Sequence, residues 1–86
     1  MPEICRFYGI VIQMFYEEHQ PPHFHITYGE YKATIAIDDL NLLSGDFPRK
    51  GLNLVLDWAE LHQEELRQEW QLAREEKSLF KIEPLK

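Results

Sequence analysis

The chain has a single cysteine, Cys5, so no internal disulfide can staple it, and a reducing, cytoplasmic setting is expected. No apolar run approaches the length of a membrane span, and the N-terminus lacks the pattern of a cleavable leader. A leaderless soluble protein is therefore expected. Basic residues are scarce: nine Lys and Arg stand against 15 Asp and Glu, for a net charge of −6. That balance disfavours broad binding to a nucleic-acid backbone, which needs clustered cations to release counterions, although a small local basic patch stays open. The four glycines follow no phosphate-cradling spacing, and no internal repeat is present.

The hydrophobic content of 44% and aromatic content of 13% fit one small globular domain spanning residues 1–86. Its organising stretch runs from Glu17 to Thr27 and holds His19, His23 and His25, with Pro21 and Pro22 between them. Alternate side chains of a strand point to opposite faces. His23, His25 and Thr27 therefore share one face, and Phe24, Ile26 and Tyr28 the other. The prolines bias the approach toward extended geometry.

Residues 4 to 16 read as one extended first strand, with Ile10, Ile12, Met14 and Tyr16 on one face and Val11, Gln13 and Phe15 on the other. Gly9 within it suggests a bulge or a close backbone approach. Tyr28-Gly29-Glu30-Tyr31 suits a two-residue type II′ hairpin. That register pairs Tyr28 with Tyr31, Ile26 with Ala33 and Phe24 with Ile35. It also pairs Thr27 with Lys32, His25 with Thr34 and His23 with Ala36, one set apolar and the other mostly polar. Leu40, Leu42 and Leu43 form either a short fourth strand or an apolar loop, bounded by turn formers at Asp38-Asp39 and Ser44-Gly45-Asp46.

Asp46 is the expected helix N-cap, with Pro48 in the first turn. Leu52, Val55, Ala59, His62, Leu66, Trp70 and Ala73 then recur at helical spacing to about residue 76. Either one long helix results or two that break near His62, where the stripe is most polar. Most of Asp57, Glu60, Glu64, Glu65, Glu69, Glu75 and Glu76 are expected on a solvated helix face. Trp70 falls on the stripe; Trp58 borders the core or marks a contact surface, core being the commoner fate. Phe80, Ile82 and Leu85 suggest an extended tail that packs back on the sheet or awaits a partner. The expected architecture is α+β: a three- to four-stranded antiparallel sheet with one long C-terminal helix, or a helical pair, packed on one face.

Candidate chemistry centres on the imidazoles. His19, His23 and His25 could ligate a divalent transition metal such as zinc, with Glu17 or Glu18 as a carboxylate ligand, because neutral imidazole is a good ligand and two strand residues on one face can reach one ion. His62 joins only if the helix lies on the histidine face. The same types of residue often do no more than pack and hydrogen-bond. Alternatively His23 and His25 act as acid and base at a phosphodiester, with Thr27 and Lys32 holding the phosphate. His25-Ile26-Thr27 has the form of one half of a two-histidine phosphoesterase motif; the second half is missing. Cys5 and Ser44 lack a neighbouring base or a nucleophile elbow, so Cys5 reads as a small buried hydrophobe. Arg6, Lys32, Arg49 and Lys50 are the elements of a modest basic patch.

Pro2-Glu3-Ile4, Gly9-Ile10-Val11-Ile12, His19-Gln20-Pro21-Pro22-His23-Phe24-His25 and Lys81-Ile82-Glu83-Pro84-Leu85 together resemble the small bacterial domain of unknown function 4160 family. Tyr28, the Ala33 to Ile37 strand and Trp58-Ala59-Glu60-Leu61-His62-Gln63-Glu64-Glu65-Leu66 before Trp70 carry the resemblance through the rest of the chain. The resemblance brings no assigned catalytic or ligand role for His23 and His25. It implies membership of two-gene cassettes, commonly beside a domain of unknown function 2442 protein and sometimes given a toxin–antitoxin label. The expectation is thus a cytoplasmic protein-interaction component of such a pair, away from membranes; enzymatic action stays open.

Overall fold

The structure is a computed structural model that describes residues 3–16 and 19–85. The first extended run is two strands rather than one. β1 (Glu3–Phe7) and β2 (Ile10–Gln13) join through Tyr8 and Gly9, whose φ angles are 50° and 80°. Two positive values mark a type I′ hairpin. Phe7 lies opposite Ile10 and Cys5 opposite Ile12, and all four are buried. The inward set thus passes from odd to even positions across the turn. Ile4 is also fully buried, because the register slips between Glu3 and Cys5 and turns an extra residue inward.

The next hairpin has the expected register. β3 (His23–Tyr28) and β4 (Tyr31–Ala36) make all six of the pairs read from the sequence. Gly29 supplies a positive φ of 57° at the first turn position, where a side chain would be strained. β5 (Leu42–Asp46) completes a five-stranded antiparallel sheet in the order β1-β2-β3-β4-β5. The expected turn at Ser44-Gly45-Asp46 is therefore strand. Gly45 makes this possible with a φ of 91°, and a Cβ there would overlap the Lys32 carbonyl oxygen. Leu43 is the extra residue where Thr34 faces Ser44 and Ile35 faces Leu42.

The helical region is a pair: α1 (Arg49–Leu61) and α2 (Gln63–Arg74), broken at His62. Asp46 ends β5 instead of capping α1; Pro48 holds the cap position, and its carbonyl accepts from the Leu52 amide. The helices cover the face bearing Ile10, Ile12, Phe24, Ile26 and Ile35. Val55, Trp58, Ala59 and Leu66 supply the other half of the core, all at 0% exposure. Burying each large apolar side chain contributes about 1.5–3 kcal/mol. Trp58 lies 5.7 Å from the Phe7 ring and 6.2 Å from Phe24. It is core, with no part in an exposed surface.

The tail packs back. The Ile82 amide donates to the Ile4 carbonyl (2.8 Å), and the Trp58 indole N–H donates to the Glu83 carbonyl (2.8 Å). The tail is thereby tied to edge strand β1 at Ile4. Gln63 Nε2 donates to the Ile37 carbonyl and Arg67 reaches Asp38, fixing α2 to the chain leaving β4.

Candidate functional site on the open face of the sheet

With one face buried under helices, the other carries the side chains of opposite phase. Strand pairing arranges them in rows. One row reads Arg6, Val11, Thr27, Lys32 and Asp46 across the five strands. The next reads Glu3, Gln13, His25, Thr34 and Ser44. Side chains from both rows, with Phe15, line a concavity of about 550 Å³, within the size range of small-ligand sites.

The histidines do not share one fate. His25 lines the concavity, its ring edge-on to Phe15 at 4.3 Å. His23 lies 5.2 Å from His25 but is only 9% exposed, with the Trp70 ring of α2 at 5.1 Å. His23 and His25 were expected to share one face, but His23 begins β3 and Trp70 reaches over that end, so only His25 stands open. His23 Nδ1 bonds the Pro21 carbonyl at 2.7 Å. A carbonyl can only accept, so Nδ1 carries the proton.

His19 is exposed in the approach to β3 and does not line the concavity. Glu17 and Glu18 lie outside the described residues. His62 belongs to the helical layer, its ring tilted against Trp58 at 5.4 Å and hydrogen-bonded to Glu65. Among the described residues no three His, Cys, Asp or Glu side chains gather as ligands for one ion. His19, His23 and His25 do not form such a set.

Thr27 and Lys32 both line the concavity and face each other across β3 and β4. Arg6 joins them from β1, but Arg49 and Lys50 are not in its lining; Lys50 lines a separate cleft of about 240 Å³ with Tyr8, Tyr28 and Leu54. Arg6 donates to Glu3 at 2.7 and 3.1 Å, and that bond holds the Glu3 carboxyl below its usual range. Gln13, Thr34 and Ser44 were not expected in a site. The signal that places them is register: Thr34 follows from the β3–β4 pairing already legible, Gln13 and Ser44 from the strands on either side. Cys5 is buried, and burial pushes its thiol pKa up, the reverse of an activated nucleophile.

Among the described residues no helix is long and apolar enough to cross a membrane. Residues 9–71 match the family model for the domain of unknown function DUF4160, and the chain belongs to that family. No curated protein and no solved structure shows significant similarity to it.

Proposed function

We propose that this protein is a binding module that acts through a partner chain, as one half of a two-gene, toxin–antitoxin-like pair in the cytoplasm. The observation that carries the reading is the unequal treatment of the two sheet edges. The β1 edge is bonded to the tail through Ile4 and Ile82. The β5 edge is exposed at all five positions, with Leu42 at 47% and Leu43 at 45%. An uncovered edge presents backbone groups that an added strand can pair, and exposed apolar side chains beside it can anchor that strand. The proposed partner is the domain of unknown function 2442 protein that the family resemblance implies.

The rival reading uses His23 and His25 for proton transfer or metal binding. The 5.2 Å ring separation favours it, but His23 is packed under Trp70 and absent from the concavity. Co-expression of the tagged chain with the neighbouring gene product decides between these readings. Stable co-purification is expected, lost in a Leu42→Glu/Leu43→Lys variant whose melting temperature is little changed. A chain that purifies alone, or a complex indifferent to both leucines, contradicts the proposal.

A further inference from the structure

Independently of any partner, we infer that the concavity binds the phosphoryl group of a small phosphate ester, centred on Thr27, Lys32 and Thr34. These residues and His25 form a four-cornered set: His25 opposite Thr34, and Thr27 opposite Lys32. Directly paired strand residues lie about 5 Å apart, and alternate residues along a strand about 7 Å apart. Thr27, Lys32 and Thr34 thus place three side chains capable of donating hydrogen bonds on one face, around a space that fits a phosphoryl group. Ser44 adds a hydroxyl from β5, next to Thr34.

Charge supports the same ligand. The chain carries −6 overall, yet among the described residues the lining holds Arg6 and Lys32 against one acid, Glu3. That acid is already engaged by Arg6 and lies 4.0 Å from Lys81. Lys32 makes no ion pair among the described residues, not even with Asp46, its register partner. A cation and neighbouring hydroxyls on a rigid sheet are suited to phosphate, which offers several strong acceptor oxygens. The concavity of about 550 Å³ leaves space for the remainder of an ester beside Val11 and Phe15.

The test is an NMR titration of labelled protein with adenosine 5′-monophosphate, with inorganic phosphate and adenosine in parallel, at about 0.1 M salt to screen loose surface attraction. The nucleotide is expected to shift the Thr27, Lys32 and Thr34 amides saturably. Adenosine is expected to leave them unmoved. Lys32→Met, at an exposed site, is expected to weaken binding by about tenfold, and Thr27→Val to weaken it without altering core resonances. Shifts that never saturate, that adenosine reproduces, or that are equal in Lys32→Met overturn the inference. Saturable shifts with phosphate alone, and none with the ester, overturn it as well.

Discussion

Glu69 shows how far one residue can depart from its type. Its neighbours on the helix, Leu66 three residues before and Ala73 four after, are both buried, and Glu69 shares their 0–2% exposure. One carboxyl oxygen accepts the Phe80 amide at 2.9 Å; the other finds no partner among the described residues. Burial raises its pKa from 4.5 to about 7, aided by the Glu65 charge and opposed by the Phe80 hydrogen bond. The folded chain therefore holds this proton more tightly than the unfolded chain. The resulting contribution favours folding most below 4.5 and is lost as pH rises toward 7, by up to about 3 kcal/mol. Glu69→Gln keeps an acceptor for Phe80 and removes the charge. Its melting temperature is expected to exceed that of the parent at about pH 8 and to approach it near pH 4. Thermal unfolding at both values checks this; a variant less stable at the higher pH contradicts it. Most acids of this region do lie exposed, as expected, and Glu69 is the buried exception. Spacing from Leu66 and Ala73 already placed Glu69 on the inward stripe.

At the scale of elements, legibility depended on whether turn chemistry and side-chain alternation agreed. They agree at Gly29, and the β3–β4 register was readable to every pair. At Tyr8-Gly9 the turn was hidden because tyrosine is an unusual residue for a positive φ. The phase change from Cys5 and Phe7 to Ile10 and Ile12 was the available signal. The strand weighed at Leu42 and Leu43 is present in β5, but the second half of that strand was concealed for a different reason: Ser, Gly and Asp favour turns, and only the close approach of Gly45 to β4 shows why glycine is needed there. The break at His62 was readable because the apolar stripe is weakest there. The end of α2 offers a prediction of the same kind. The Lys77 amide bonds the Leu72 carbonyl and the Glu76 amide bonds Ala73, with Glu76 at a φ of 56°. This is a Schellman motif with a side chain where glycine is preferred. Glu76→Gly is expected to stabilise the fold by about 1 kcal/mol, measured by denaturant unfolding; destabilisation instead contradicts this view of the helix end.

For the whole molecule, the helices take one face of the sheet and the tail takes one edge. What is left is a polar concave face bordered by the free β5 edge. The two-sidedness of the central hairpin was legible, since Phe24 and Ile26 are fully buried while His25 and Thr27 line the concavity. The covering of His23 was not, because it depends on where α2 passes the end of β3, and local sequence does not encode that path. Candidate site residues from distant strands were likewise out of reach until the five strands had an order.

The most direct measurement is amide hydrogen exchange of residues 42–46, alone and in complex with the proposed partner, the domain of unknown function 2442 protein. Fast exchange is expected at outward-facing β5 amides in the free chain, with marked slowing on association and little change at β1. A complex whose protection falls on α1 and α2 while β5 exchanges as before would contradict an edge-binding role.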